Sequence, residues 1–473
     1  MSVQILLQGK ITGTEEFPPA GAGPESELAG RANWVGLLSE VLPRALIAEL
    51  NLSKMLLGAS GAGQFLVVLP EESRATAEEF LKSTRAGIRS LSEGRVELLW
   101  AITENLGDWT VVRKRLTEEM NRKQGAPLAH TGFAAVEEFE SAGSYFSGEL
   151  AGRLRDASIV GWSPEEPGRI QIGAGKHTWS IGSEIPLARH TALNDDGREP
   201  ATTAKLAQRA EGRPLWGVLR GDVDNFGIRI RRVQSIEEHV QLSVLYKQFF
   251  AGELEVLCSM PEFWRKVTLL YAGGDDFAIY GAWDALIGFA REMQRVFRRF
   301  SEEQLKEFPG PEGKTITMAI TLAPDERASL ASLYESAGEK LEMAKAADKD
   351  CLYLLGRTLE WKQLSDAAQL RDELMRMIRD YGAPADYIRE LTGLYRETRR
   401  PEGERSTKRP ERPWRLHRRL TRILSGSRSR EFQKARAGLI ADLAGKNPAH
   451  RKLRPSSRVA LEWARLSAEG PES

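Results

Sequence analysis

Two apolar runs, Val267–Tyr271 and Phe277–Tyr280, meet across Ala272-Gly-Gly-Asp-Asp276, and this juxtaposition constrains the fold more than any other feature of the 473 residues. Short apolar runs back to back across a glycine-rich turn read as a β-hairpin. Upstream, Leu215–Val223 is another apolar run, and it ends in Asp222-Val-Asp224. Helix-period segments Ile236–Phe250 and Ala285–Phe300, followed by the strand Ile316–Leu322, complete the order β-α-β-β-α-β. A further helix, Leu330–Lys345, and a strand, Cys351–Leu355, follow.

The same order occurs once before. Strand Val3–Leu7 and helix Leu28–Leu50, with Trp34, Leu37, Leu38, Val41 and Leu42 at helix spacing, lead to the loop Gly58-Ala-Ser-Gly-Ala-Gly63. Strand Gln64–Leu69, helix Glu72–Leu91 and strand Arg95–Ile102 finish the copy. The expected class is therefore α+β, with two ferredoxin-like palm domains of which only the second keeps acids at its turn. Expected boundaries are 1–145 for the degenerate first palm, 146–212 for a Gly- and Pro-rich connector, 213–360 for the second palm and 361–473 for a helical domain. The connector is expected to hold one small hairpin, Ile170–Ile181.

Bulk properties narrow the chemistry. Lys and Arg number 67 against 66 Asp and Glu, so a net charge of +1 points to no partner. No apolar run of about 18 residues is present to span a membrane, and the expected location is the cytoplasm. Cys258 and Cys351 alone make neither a disulfide framework nor a zinc site. The six histidines, His130, His177, His190, His239, His417 and His450, form no HExxH or His-Asp pair. Any metal must then be held by carboxylates. From Arg396 to Arg436 there are fifteen basic residues and five Glu, with Trp414, His417 and Phe432 interleaved. Such a run is either a solvated helix face or a footprint for a phosphate backbone.

Phosphoryl transfer from a nucleoside triphosphate uses two hard cations about 3.5–4 Å apart held by carboxylates. A hairpin tip beside the end of a central strand suits this. Asp222, at the end of its strand, and Asp275 and Asp276, at the tip, are the candidate catalytic and metal-binding residues, while Asp224-Asn225 is assigned to fixing the turn. Gly273 and Gly274 allow the backbone to approach phosphate. Lys345 and Lys349, four apart on a helix and its exit, can share a face; they serve either surface solubility or, beside the acids, the phosphate contact to which they are assigned.

These motifs resemble the large polymerase-like subunit of type III CRISPR effector complexes, the Cas ten family. The segments that carry the resemblance are Leu215–Gly227 (LWGVLRGDVDNFG), Leu269–Trp283 (LLYAGGDDFAIYGAW) and Ala337–Tyr353 (AGEKLEMAKAADKDCLY). Weaker likenesses are Leu28-Ala-Gly-Arg-Ala32, Ala59-Ser-Gly-Ala-Gly-Gln-Phe65 and Val459-Ala-Leu-Glu-Trp-Ala464. The resemblance implies a target-RNA-activated cyclase that polymerises ATP into cyclic oligoadenylate with Mg²⁺ or Mn²⁺, in antiviral defence. It also implies a guide RNA, target RNA and other effector subunits as partners. Ser60, Gly61 and Gly63 would then line a second nucleotide site. AMP transfer to another acceptor such as S-adenosylmethionine, or a silent scaffold, are the alternatives. Two departures stand out: no HD nuclease motif is present, with no room for its domain ahead of the first palm, and 146–212 lacks the family's zinc-binding cysteines. No HD nuclease activity is expected.

Overall fold

The computed structural model describes residues 4–21, 23–124, 142–325, 328–383, 386–397, 418, 421–423, 429–444 and 455–469. It contains both palms. In the first, β1 (Gln4–Thr12), β2 (Leu57–Gly61), β3 (Gln64–Pro70) and β4 (Glu97–Glu104) form an antiparallel sheet in the order β2-β3-β1-β4, the ferredoxin-like arrangement. Helices α1 (Glu25–Glu49) and α2 (Arg74–Leu91) cover one face. Trp34, Leu37, Leu38, Val41 and Leu42 are all buried there, as their spacing predicts.

The opposite face is closed by α3 (Trp109–Gln124), which the sequence reading did not anticipate. Its core contacts, Val112, Leu116 and Met120, recur every four residues on an otherwise polar helix. That stripe is too thin to stand out by periodicity, yet it suffices against Leu6, Leu66 and Leu99.

The second palm repeats the plan with two additions. Strands β8 (Trp216–Val223), β9 (Val267–Ala272), β10 (Asp276–Ala282) and β11 (Ile316–Leu322) adopt the order β11-β8-β10-β9. Helix α9 (Leu330–Asp348) crosses over to β12 (Cys351–Leu354), parallel to β11, and β13 (Arg357–Glu360) pairs antiparallel at the edge. Here α5 is Phe226–Arg232, α6 Ile236–Gln248, α7 Leu254–Cys258 and α8 Trp283–Gln304, while α4 is the short Thr203–Gln208. Strand β8 thus lies in the interior with β10 and β11 on either side, and its end is held by two ladders.

Residues 146–212 depart from expectation. The Ile170–Ile181 segment does not pair with itself. Its two strands, β6 (Gln171–Ile172) and β7 (His177–Ser180), flank a central strand β5 (Ile159–Trp162) in the order β6-β5-β7. This sheet shares the first palm's core: Val160, Trp162, Ile170 and Ile185 join the cluster of α1 and β1, and Trp34 Nε1 donates to the Gly168 carbonyl at 2.9 Å. A strand of four residues with glycine in it carries too weak a pattern to be seen alone.

Beyond the palms the described residues are helical, as expected: α10 (Trp361–Arg379), α11 (Asp386–Glu397), α12 (Arg430–Ala444) and α13 (Pro455–Ala468). Phe432 is buried against Tyr381, their rings 5.6 Å apart, so it is a core residue of this bundle. Most of the basic run, including Trp414 and His417, lies outside the described residues, as do His130 and His450. No helix of the described residues is long and apolar enough to cross a membrane.

Candidate active site

The antiparallel register sets Asp276 of β10 directly opposite Asp222 of β8. The turn between β9 and β10 is closed by Gly273 N donating to the Asp276 carbonyl at 2.7 Å, and Val223 N donates to the Asp275 carbonyl at 2.8 Å. A Cβ on Gly273 would lie 2.3 Å from Asp276 Oδ1, so any other residue there would displace that carboxylate. The three predicted acids therefore converge where two central strands end.

Burial makes this cluster electrostatically unfavourable. It lifts Asp222 to about 6, an effect opposed by Lys345 and reinforced by Asp276 and Asp224. Asp275 is pushed well above the carboxylate range by burial and then by Asp276 and Asp222. Asp276 is raised by burial too, offset by a hydrogen bond from the Tyr271 hydroxyl at 2.7 Å and by the Arg220 charge. Lys345 pairs with Asp222 at 2.9 Å. Burial works against its ammonium, but Asp222 holds the proton more firmly than usual.

Asp224 has the other role assigned to it. It is buried and accepts from Thr315 Oγ1 and Thr317 Oγ1, both at 2.7 Å, and from Asp350 N at 2.9 Å. Asn225 follows with φ of 58°, the left-handed conformation an Asn tolerates. Lys349 donates to Asn225 Oδ1. It thus lies beside the turn, and a small cleft there is lined by Asp222, Asp275, Lys345 and Lys349.

A second cavity spans the two palms, and Asp222, Asp275 and Asp276 form one wall of it. Gly61 and Gly63 line the opposite side, at the β2–β3 tip of the first palm. The tips touch: a Cβ on Gly274 would sit 2.8 Å from Ala62 Cβ. Ser60 departs from its predicted role. It is 3 % exposed, does not line the cavity, and donates to Glu40 Oε2 at 2.9 Å while accepting from Lys247 at 2.7 Å.

Sequence reasoning missed Arg220, Tyr271, Glu40 and Lys247. Arg220 could have been found, because period two puts it on the same face as Asp222, and a charge inside an apolar strand needs a reason. It is 7 % exposed, stacks over Tyr334 at 4.4 Å and has a buried Nε with no partner. Tyr271, the last residue of its apolar run, gave no comparable signal.

Among the described residues no three His, Cys, Asp or Glu are already gathered at one point for a metal ion. Lys345 and Tyr271 presently answer two of the acids. The donor set nevertheless suits a hard cation: all oxygen, on neighbouring strand ends, and mutually repelling, since beyond burial Asp276 pushes Asp222 up and Asp276 and Asp222 push Asp275 up.

Comparison with known proteins follows this geometry. Residues 215–353 match the family model for the Cas10/Cmr2 second palm domain, a segment holding Asp222, Asp275, Asp276, Lys345 and Lys349. The second palm is thus similar to that of the Cas10/Cmr2 family. A curated relative is the CRISPR system single-strand-specific deoxyribonuclease Cas10/Csm1 (subtype III-A) of Enterococcus italicus, 28% identical over 436 residues, which cover 77% of this chain and 56% of that protein. The chain thus spans little more than half of this relative's length. Among solved structures, the Csm1–Csm4 subcomplex of the type III-A CRISPR-Csm interference complex gives a TM-score of 0.74 at 17% identity, covering 98% of this chain and 70% of that one. A Csm1–Csm4 cassette in complex with cA4 gives 0.71 at 16% identity, covering the same shares. At such identity these structures establish a shared fold.

Proposed function

We propose that this chain is the nucleotide-polymerising subunit of a type III CRISPR ribonucleoprotein, making cyclic oligoadenylate from ATP when target RNA binds. The observation that carries the proposal is the pairing of Asp222 with Asp276 across the ladder, facing an acid-free glycine tip of the other palm over a shared cavity. A cyclising polymerase must hold two nucleotides head to tail, and two palms facing one cleft supply two sides. Similarity to a Csm1–Csm4 cassette in complex with cA4 supports the same reading.

Asp222, Asp275 and Asp276 would hold Mg²⁺ or Mn²⁺, which when bound supplies charge to the triphosphate and lowers the pKa of the attacking hydroxyl. Lys345, 2.9 Å from Asp222, is placed to move from that carboxylate to a phosphate oxygen once the acid has another counter-charge. Lys349 lies beside the same cleft for a second phosphate contact. Gly273 and Gly274 present backbone without side chain to the donor nucleotide, and Gly61 and Gly63 do so for the acceptor. Asp224, bound by Thr315 and Thr317, keeps the end of β8 rigid so that Asp222 keeps its aim. The partners implied are a guide RNA, target RNA and the other subunits of the effector.

The test is mass analysis of products from the assembled complex supplied with ATP, Mg²⁺ and target RNA. Cyclic oligoadenylate that disappears in Asp275→Ala/Asp276→Ala is the expected result. Products joined to a non-nucleotide acceptor would favour the alternative transfer, and no product at all would leave a scaffold.

A further inference from the structure

Behind the first palm's glycine tip lies a buried ionic cluster that the catalytic reading does not use. Lys247, from α6 of the second palm, donates to Glu40 Oε1 at 2.8 Å and to Ser60 Oγ at 2.7 Å, both in the first palm. Ser60 and Arg44 both donate to Glu40 Oε2, at 2.9 and 2.8 Å. Side-chain exposure is 16 % for Lys247 and 8 % for Glu40, so bulk water does not screen the pair strongly.

Both ends of this contact are anchored. Lys247 follows Tyr246, whose hydroxyl donates to the Gly313 carbonyl at 2.7 Å, while Gly313 N donates to the Asp224 carbonyl at 2.8 Å. Phe250, further along the same helical segment, packs on Phe277 with ring centroids 6.1 Å apart, next to Asp276. At the other end, Ser60 and Gly61 lead into Ala62, which touches Gly274. An ideal Cβ on Gly61 would lie 3.4 Å from both Glu40 Oε1 and Lys247 Cε, so the cluster is the floor on which the tip rests.

We infer that Lys247 is a positioning residue: through Glu40 and Ser60 it fixes the first palm's glycine tip against the acid hairpin, and so sets the distance between the two nucleotide half-sites. This inference rests on the nucleotidyl-transfer reading above. Reactants displaced by about 1 Å can lose on the order of 10²-fold in rate, and Lys247, which with Glu40 also lines the cavity between the palms, reaches the tip from the second palm.

The experiment uses the full chain in the preparation in which wild type is active, with two readouts. Lys247→Met is expected to lower kcat for oligonucleotide synthesis at least tenfold, with KM for ATP within about threefold of wild type. It should also speed hydrogen exchange at the amides of Gly61–Gly63 and Gly273–Asp275. Lys247→Arg, which keeps the cation, should recover most of both. Ser60→Ala, a smaller change, should shift both readouts in the same direction and serves if Lys247→Met does not fold. Wild-type kcat together with wild-type exchange in the variant that folds overturns the inference. A tenfold rise in KM with unchanged kcat also overturns it, since Lys247 would then be a substrate contact. If wild type makes no nucleotide product, the functional reading fails by itself, and the exchange measurement still decides whether Lys247 holds the tip.

Discussion

The two palms share one four-stranded order, to which the second adds β12 and β13, and their chemistry differs at one turn. In the first, β2 and β3 are joined by Gly61-Ala62-Gly63, with φ values of 121°, 51° and 66°; in the second, β9 and β10 are joined through Gly273-Gly274-Asp275. The first turn lies in the left-handed region and carries no charge. The second keeps ordinary backbone and packs carboxylates so closely that burial raises their pKa values. A fold that repeats can therefore keep its architecture while only one copy carries the electrostatic strain of clustered acids. The acid-free copy lines the same cavity.

The largest test of this division removes the acids. Asp275→Ala/Asp276→Ala should lower nucleotide product by ~10³-fold or more, since the ligands for divalent cations go with them. Folding should hold or improve, because like charges are removed from one turn. Product within tenfold of wild type, measured in the assembled complex, would falsify the catalytic assignment.

Next in size is the cation beside them. Lys345→Met strips Asp222 of its 2.9 Å partner and removes the proposed phosphate contact, and the rate should fall ~10²-fold. Asp284→Ala is the control: it breaks an ion pair with Lys266 at 2.8 Å on the far end of β10, so kcat should stay within about twofold of wild type. Equal losses in both variants would show that the effect is not local to the acids.

The contact between the tips gives a smaller effect. Gly274→Ala introduces a methyl 2.8 Å from Ala62 Cβ, and activity should drop ~tenfold as the hairpins part. Adding Ala62→Gly removes the nearest atom and places glycine where φ is 51°, but leaves the backbone N of that residue at 3.2 Å, so part of the lost activity should return. A double variant no more active than Gly274→Ala alone would mean that the Ala62 methyl is not what separates the hairpins.

The smallest expected effect concerns pH. His239 of α6 packs edge-on against Trp109 of α3, ring centroids 5.5 Å apart, where the second palm meets the first. Burial holds its pKa at about 4, with the Arg113 charge adding to the effect. An unfolded chain would take up a proton near 6.5 that the folded chain refuses until about 4. Stability from this residue is therefore complete above pH 6.5 and is lost as pH falls towards 4. Between pH 7 and 5 the melting temperature of wild type should fall more steeply than that of His239→Gln, and parallel slopes would exclude the mechanism.

Much of this was legible beforehand wherever local pattern and tertiary role coincide. Asp222, Asp275 and Asp276 stand at turns bounded by apolar runs, so their convergence follows from strand pairing alone. Ser60 was misassigned because a glycine-rich tip looks the same whether its hydroxyl is free to meet a ligand or already bonded to Glu40 and Lys247. Helix α3 and strand β5 were invisible for a related reason: three apolar residues, or four residues around a glycine, become a pattern only when a sheet face or a neighbouring helix waits to receive them.

By itself the sequence determined the α+β class, the repeated palm and the acids at one turn, because period and turn chemistry are properties of adjacent residues. Only the tertiary structure decided that the two tips touch through Ala62 and Gly274 and that Lys247 reaches Glu40 and Ser60 across the palms. It also decided that Phe432 serves a core. Those contacts join residues far apart in the chain, and their geometry depends on how whole sheets and helices pack, which no local spacing encodes.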